Sequence, residues 1–273
     1  MESKVHRRKN MKDSRLWICI AALAAAIPSQ AFTTLGTKWG MGPDVATHLA
    51  GHEGTPGFVT WSIMGGGLGI TSYETHGGIL TGDFGVLLGT PSETEEIAII
   101  TDVFETWASV CGLTALGPVM DGHVSGGAPK AMGGHLGDIR IGVIGGFDSA
   151  TVLGHAYLPG TEALYGPGGT LTGDVHVNIT KLWVDDPFDD DDGVDYDLHT
   201  VLLHEVGHAL GLGHSDVVGS VMGASYDGGK RTLSADDIEG ITHIYGPVPE
   251  PATLLGVGMG VAWIARRRRQ RAS

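Results

Sequence analysis

One stretch decides how this chain folds: His204-Glu205-Val206-Gly207-His208-Ala209-Leu210-Gly211-Leu212-Gly213-His214-Ser215. Residues four apart lie on one face of a helix, so His204 and His208 can present two imidazoles to a single metal ion. Gly211 lets the chain leave the helix and bring His214 back as a third ligand. Three histidines on zinc leave a fourth position open for water, which distinguishes a catalytic site from a structural one. Glu205 then lies where it can take the proton of that water as the water attacks a carbonyl group.

The complete spacing resembles the signature of the metzincin metalloproteases, His-Glu-x-x-His-x-x-Gly-x-x-His. Val221-Met222-Gly223 follows the third histidine, as the methionine turn of that clan does, and Met222 is expected to form a hydrophobic floor beneath the zinc ligands. Ser215, directly after His214, resembles the matrixin branch, which contains the matrix metalloproteases and their bacterial relatives. The resemblance implies a zinc metalloendopeptidase. Its fold class is α+β, a zincin-like metzincin catalytic domain with a twisted mixed β-sheet of about five strands and three main helices.

The charge of the chain is unevenly distributed. The formal net charge is −14, but 11 of the 17 Lys and Arg residues lie at the two ends. Between residues 32 and 249, six Lys and Arg face 28 Asp and Glu, so this region is strongly acidic. Nucleic acid is therefore not expected as a partner.

Residues 1–31 resemble a secretory signal peptide. They comprise a basic segment, an apolar run from Leu16 to Ile27, and the small-x-small cleavage site Ser29-Gln30-Ala31. The alternative is an uncleaved anchor helix, although the apolar run is short for a membrane span. Cleavage would leave Cys111 as the only cysteine of the mature chain, so no intramolecular disulfide is expected.

Residues 248–273 resemble the PEP-CTERM sorting signal of Gram-negative bacteria, which an exosortase is thought to process. Val248-Pro249-Glu250-Pro251-Ala252 precedes an apolar stretch that ends at Ala265 and is followed by Arg266-Arg267-Arg268-Arg269. The resemblance implies an exosortase-type partner and contact with the membrane through this tail before processing. An ordinary membrane tail is the alternative. Both interpretations place the protein outside the cytoplasm, at the cell surface or in the extracellular space, and leave open whether the mature form stays anchored.

Between the two ends we expect an extended N-terminal lead at 32–57 and a matrixin-like metalloprotease domain at 58–247. A first helix should begin at the capping box Ser92-Glu93-Thr94-Glu95 and end near Gly112. The final helix should start at Ser234 with Ile238, Ile241 and Tyr245 facing inward. The alternation of apolar residues and the resemblance predict strands at Phe58–Ile63, Asp138–Val143 and 173–178, and Asp197 is expected to cap the zinc helix at Leu198.

Two segments resemble the substrate-binding parts of matrixins. Residues 152–160 are similar to the family's edge strand, with which an extended protein or peptide substrate forms main-chain hydrogen bonds, and they include Leu153 and Gly154. Tyr226 corresponds to the tyrosine of the family's Pro-x-Tyr sequence, which lines the primary specificity pocket. Ala224 replaces the proline here, so the side-chain preference of the family is not carried over.

Further metals are left open by the sequence. His155 and His176 match two ligands of the structural zinc of matrixins, but Ile144-Gly145-Gly146-Phe147 replaces the His-x-Asp pair that completes that site. Asp148 and Asn178 could supply oxygens to calcium, whereas Lys181 stands where vertebrate relatives have a ligating glutamate. The acidic run at 185–193 lacks the ligand spacing of an EF-hand, so we expect a solvated loop.

Two functions follow from these patterns. The first is a secreted or surface-sorted zinc endopeptidase, in which a zinc-activated water attacks the peptide bond and Glu205 is the general base. The second is a non-catalytic adhesion or matrix protein on a metzincin scaffold, which the sorting tail and the Gly-rich insertions favour. The cysteine-switch motif of matrixins is absent, so latency by a thiol on zinc is not expected.

Overall fold

The computed structural model describes residues 32–34, 36–42, 51–69, 82–89, 93–121, 137–147, 149, 151–160, 171–189 and 192–249. Its helices are α1 Thr94–Ala108, α2 Leu198–Ala209 and α3 Ala235–Tyr245, with a short 3-10 helix at Phe84–Val86. Its strands are β1 Gly57–Ile63, β2 Leu113–Leu116, β3 Ile139–Ile144, β4 Gly154–Ala156, β5 Val175–Asn178, β6 Trp183–Val184 and β7 Tyr196–Asp197.

Five of these strands form one mixed sheet in the order β2-β1-β3-β5-β4. In this order β2, β1, β3 and β5 are parallel to one another. The strand β4 lies at the sheet edge and runs antiparallel to β5. The strands β6 and β7 form a separate parallel pair. The five-stranded mixed sheet and the three helices confirm the α+β metzincin fold predicted from the sequence.

The core lies between this sheet and the helices α1 and α2. All six residues of β3 are buried, as expected for a central parallel strand that is covered on both faces. Trp61 of β1 stacks on Phe104 of α1, with ring centroids 5.5 Å apart. Trp107 of α1 donates its indole N–H to the backbone oxygen of Leu203 at 3.0 Å, which ties α1 to the zinc helix α2.

The first helix differs from the prediction at its start. Glu93 is the N-cap and makes no side-chain capping hydrogen bond, while Ser92 lies outside the described residues. The strand β2, which follows α1 and pairs with β1, was not predicted. Its four residues are too few for an alternating pattern to stand out from a loop.

The predicted caps of the other two helices are present. Asp197 accepts a hydrogen bond from the backbone N–H of Thr200 at the start of α2. Ser234 and Asp237 form a reciprocal capping box at the start of α3. Ile238 was expected to face inward but is 37% exposed, because the buried face of α3 is formed by Asp237, Gly240, Ile241, Ile244 and Tyr245.

Several predicted segments lie outside the described residues. These are the signal peptide at 1–31, most of the sorting tail from residue 250 onward, and Asp148. Within the described ranges, no helix is long and apolar enough to cross a membrane.

Candidate active site

His204, His208 and His214 come together at one point. The ligand atoms of the three side chains all lie within 4.8 Å of one another, close enough for a single ion to contact all three. His204 and His208 are held one turn apart on α2, and their rings are 4.6 Å apart between centroids. His214 reaches the same point from the loop that follows α2, where Gly211 adopts a φ of +113°. The tertiary structure thus assembles the ligand set that the spacing predicted.

Hydrogen bonds orient the two helical imidazoles. The Nδ1 of His204 lies 2.8 Å from the backbone oxygen of Val221, and the Nδ1 of His208 lies 2.7 Å from the backbone oxygen of Leu212. A carbonyl oxygen can only accept, so each Nδ1 carries the proton and donates it. Each Nε2 is then unprotonated and can bind a metal, which is the usual outer-shell arrangement of zinc histidines.

Burial also keeps these imidazoles neutral. Desolvation, together with the neighbouring His204, lowers the pKa of His208 to about 4. Desolvation likewise lowers the pKa of His204. Neutral imidazoles bind a cation without first losing a proton, so the site is prepared for a metal at neutral pH.

Glu205 lies between the zinc helix and the sheet edge. It is 6% exposed, and burial raises the pKa of its carboxyl group to about 8. The strand β4 passes directly over it, since a Cβ added to Gly154 would lie 3.2 Å from both the Cγ and an Oε of Glu205. Gly154 therefore allows the close approach of β4 to the carboxyl group of Glu205.

The predicted methionine turn packs against α2 beside His204 and is held by α3. Met222 is 2% exposed, and a Cβ on Gly207 would lie 2.4 Å from its sulfur, so the turn packs tightly against α2. The carboxylate of Asp237 accepts hydrogen bonds from Ser220 Oγ at 2.5 Å and from the backbone N–H of Val221 at 2.9 Å. The capping box of α3 fixes the position of Asp237. A capping box indicates only the start of a helix, so the sequence did not predict that Asp237 holds the methionine turn.

A cleft runs past the three histidines along the sheet edge. Leu153, Gly154 and Tyr226, the three predicted substrate residues, all line it. The Tyr226 hydroxyl accepts a hydrogen bond from the backbone N–H of Asp197 at 2.9 Å and donates to the carboxylate of Asp189. Burial, together with the bond to Asp189, raises the pKa of this phenol. The other lining residues include Thr200, Val201, Val221, Gly228 and Lys230.

The acidic loop is tied to the wall of this cleft. Arg231 forms ion pairs with Asp185 at 2.6 Å and with Asp197 at 2.5 Å. Asp197 is fully buried and also caps α2, so it joins the helix, the loop and the segment after Tyr226. The expectation of a solvated loop missed this connection, because Arg231 lies 46 residues after its loop partner Asp185.

His155 and His176 face each other across β4 and β5. The Nε2 of His155 lies 2.8 Å from the Nδ1 of His176, and the two residues are directly paired in the ladder. Phe147 and Tyr157 pack edge-on against His155. Among the described residues, no group of three or more metal-binding side chains includes either histidine.

Asn178 uses its side chain within the turn after β5. Its Nδ2 donates to the backbone oxygen of Val152 at 2.7 Å. Its Oδ1 accepts from the backbone N–H of Thr180 at 3.0 Å and from the Thr180 hydroxyl at 2.7 Å. The oxygen predicted for calcium is thus already engaged by two donors.

His199 of the zinc helix lies away from this centre. Its Nε2 is 2.7 Å from the carboxylate of Asp102 on α1.

The five-stranded sheet, the three helices and the three converging histidines agree with the metzincin class that the sequence resembles. Comparison with known proteins names the branch: residues 142–246 match the Matrixin family, and residues 247–269 match the PEP-CTERM protein-sorting motif. The chain therefore contains a matrixin domain followed by a sorting motif, and that motif indicates export and surface sorting.

Curated relatives are matrix metalloproteinases. Interstitial collagenase of Bos taurus is 35% identical over 158 residues, which cover 58% of this chain and 29% of the relative. Matrilysin of Rattus norvegicus is 43% identical over 97 residues, or 34% of this chain and 32% of the relative. Matrix metalloproteinase-25 of Homo sapiens is 38% identical over 103 residues, or 36% of this chain and 16% of the relative. The alignments thus span at most 32% of the length of these relatives.

Proposed function

We propose that this protein is a zinc-dependent endopeptidase that is exported and sorted to the cell surface. One observation carries the proposal. Three histidine nitrogens converge within 4.8 Å, and the carboxyl group of Glu205 lies under the adjacent edge strand of the same cleft. A structural zinc site would need a fourth protein ligand in place of an open position beside a carboxyl group.

The proposed ligands are His204, His208 and His214. A bound Zn²⁺ supplies Lewis-acid chemistry, because it polarises the substrate carbonyl and makes water more acidic. The positive charge of an ion held by the three histidines would favour the ionised form of the nearby Glu205 carboxyl group. Glu205 would then take the proton of the attacking water and pass it to the leaving amine nitrogen. Met222 stays beneath the ligands and takes no part in proton transfer.

The strand β4 is the proposed docking edge for the substrate. It is the last strand of the sheet and pairs with β5 on one side only, while residues 151–156 line the cleft on the other. An extended peptide can therefore add to the sheet through main-chain hydrogen bonds, which tolerate many side chains. Tyr226 and the residues around it would receive one side chain of that peptide.

A non-catalytic adhesion or matrix protein is the alternative. Such a protein has no chemical reason to keep Glu205 buried under the edge strand, where desolvation of the carboxyl group opposes folding. Cleavage of a mixed peptide library by the purified chain, sensitive to a zinc chelator, separates the two functions and also gives the cleavage preference.

The proposal that the protein is exported rests on both ends of the chain. We propose that residues 1–31 are removed as a signal peptide and that an exosortase-type enzyme processes the tail at 248–273, which contacts the membrane until then. The mature form is then surface-bound or released.

The metal content of the purified chain tests whether a structural zinc site and a calcium site are present. The direct hydrogen bond between His155 and His176 needs no ion, so we expect one zinc per chain by elemental analysis. A second tightly held zinc would support the structural site at these two histidines, and retained calcium would support the site at Asp148 and Asn178.

Glu205→Gln tests the function directly. The variant should keep one zinc per chain but lose peptide hydrolysis by at least about 100-fold, since general-base catalysis typically contributes that much or more. Glu239→Gln, at an exposed position on α3, is the matched control and should cleave like the parent chain. A Glu205→Gln protein that cleaves casein at the parent rate would contradict the mechanism.

A further inference from the structure

The described residues of the N-terminal lead lie alongside the loop that carries the third zinc ligand. The zinc loop is defined here as residues 209–214, from the last residue of α2 to His214. Four residues of the lead, Thr33, Thr34, Thr37 and Trp39, contact it and are called the N-terminal brace.

The contacts follow the loop in order. Trp39 is fully buried and donates its indole N–H to the backbone oxygen of Ala209 at 2.7 Å. Thr34 forms an antiparallel bridge with Leu212. The backbone oxygen of Thr33 accepts from the N–H of Gly213 at 2.8 Å.

The last contact reaches the ligand residue itself. The Thr33 hydroxyl donates to the backbone oxygen of His214 at 2.9 Å. The peptide group between Leu212 and Gly213 links the brace to a second histidine. Its N–H donates to the backbone oxygen of Thr33, and its oxygen accepts the Nδ1 proton of His208. The brace is therefore connected by hydrogen bonds to two of the three histidines.

Two glycines of the loop are required by the approach of the brace. A Cβ on Gly211 would lie 2.7 Å from the backbone oxygen of Thr37, and the φ of +113° at Gly211 also disfavours a side chain. A Cβ on Gly213 would lie 2.2 Å from the Thr33 hydroxyl. The loop and the brace thus fit each other closely enough to exclude a single methyl group.

Neighbouring residues anchor the brace to α3 and to the core. A Cβ on Gly240 of α3 would lie 3.1 Å from the Cβ of Phe32, so the residue before the brace packs against α3. Lys38 is fully buried, and its ammonium group donates to the Thr55 hydroxyl at 3.2 Å and lies 4.6 Å from the centre of the Tyr245 ring. The brace can therefore transmit the rigidity of the core to His214, the exposed end of the zinc loop.

The three ligands differ in what holds them. His204 and His208 are fixed by the hydrogen-bonded turns of α2, whereas His214 lies beyond the helix and is exposed. A ligand on a loop must lose conformational freedom when it binds the ion, unless other contacts have already ordered it. The brace provides those contacts.

We propose that Thr33 and Trp39 are positioning residues for the third zinc ligand, so that the N-terminal lead is part of the metal centre. The proposal rests on the proposed zinc site. It predicts that zinc affinity depends on two hydrogen bonds made by residues that do not touch the ion.

The test compares matched variants of the full chain. Trp39→Phe removes the indole donor to Ala209, and Thr33→Val removes the hydroxyl donor to His214 while keeping the side-chain shape. Trp183→Phe removes a comparable buried indole bond, to the backbone oxygen of Asn178 at 3.0 Å. Thr101→Val removes a hydroxyl bond to the backbone oxygen of Ile97 within α1. Thr33→Ser keeps the hydroxyl group and serves as the rescue.

Zinc affinity by chelator competition is the main readout. We expect Trp39→Phe and Thr33→Val to bind zinc about tenfold more weakly, at the lower end of the effect of outer-shell partners. The absorption bands of the Co²⁺-loaded protein should shift in the same two variants, because the coordination geometry changes. Thr33→Ser, Trp183→Phe and Thr101→Val should match the parent chain in both measurements.

Two results would overturn the proposal: parent-like affinity in both brace variants, or an equal loss of affinity in brace and control variants. If Trp39→Phe does not fold, the comparison of Thr33→Val with Thr33→Ser decides the question. Since affinity is measured without substrate, a chain that binds zinc but cleaves nothing contradicts the proposed function and leaves this test intact.

Discussion

At the scale of single residues, Asp237 shows how much one buried carboxylate organises near the metal centre. It is 1% exposed, and its two oxygens accept four hydrogen bonds, from Ser220 Oγ and from the backbone N–H groups of Val221, Met222 and Ser234. Three of these donors belong to the methionine turn or the residue before it. The backbone oxygen of Val221 in turn orients His204, so one side chain on α3 contributes to the geometry of a zinc ligand.

Replacing Asp237 by Asn should therefore destabilise the protein. The amide nitrogen cannot accept hydrogen bonds, so in either orientation of the amide at least one backbone N–H faces a donor in place of an acceptor oxygen. A buried polar group that loses its partner costs about 1–3 kcal/mol. We expect the free energy of unfolding of the zinc-free protein to fall by about 3 kcal/mol in chemical denaturation. Asp216→Asn, at an exposed position before the turn, should change it by less than about 0.5 kcal/mol. Equal stability of the two variants would contradict this account of the methionine turn.

At the scale of secondary structure, the zinc helix α2 is held at both ends. Asp197 caps its N-terminus and pairs with Arg231, while Trp39 and Tyr245 donate to the backbone oxygens of Ala209 and Leu210 at its C-terminal end. Helix ends carry backbone groups that no partner within the helix can satisfy. Their satisfaction from outside fixes the position of the two histidines along the helix axis.

Removal of the two predicted N-caps should lower the free energy of unfolding by different amounts. Ser234→Ala removes a capping box at the start of α3 and should cost about 1 kcal/mol of unfolding free energy. Asp197→Ala also removes the acceptor for Asp186 N–H and the buried partner of Arg231, so we expect a loss of about 3 kcal/mol or more. Thermal and denaturant unfolding of both variants measures the difference. A smaller loss for Asp197→Ala than for Ser234→Ala would show that its contacts beyond the cap contribute nothing.

At the scale of the whole molecule, residues 32–249 carry a large excess of negative charge, with six Lys and Arg against 28 Asp and Glu. At the cleft itself Asp227 is paired with Lys230, and the acidic loop from Asp185 is attached to the wall through Tyr226 and Arg231, so any preference for basic substrates comes from the overall charge. A field of one sign concentrates ligands of the opposite sign near the site, and salt screens this effect.

We therefore expect the protein to cleave a basic peptide faster than an acidic one with the same cleavage site. The ratio of the two kcat/KM values should fall towards one between about 0.05 and 0.5 M salt, since the screening length shortens from about 14 to about 4 Å over that range. Stopped assays on a pair of peptides that differ only in flanking Lys or Glu residues give the ratio. A ratio that does not change with salt would locate the preference in direct contacts with the pocket.

Local patterns carried most of what could be predicted. The spacing of His204, His208 and His214, the cap at Asp197 and the start of α3 at Ser234 depend on neighbours within one or two helical turns, and such patterns are visible in a sequence. The strand β2, the exposure of Ile238 and the satisfied amide of Asn178 depend on partners elsewhere in the fold. These features were missed or left open for that reason.

The sequence by itself therefore determined the class of fold and predicted that His204, His208 and His214 converge beside Glu205, because a periodic helix and a glycine turn are local. Only the tertiary structure decided how these groups are held. Thr33 contacts His214 although the two residues are 181 positions apart in the sequence, and Trp39 contacts Ala209 across 170 positions. No local propensity relates residues at such separations, so the arrangement depends on packing of the sheet, α2 and α3 around one core.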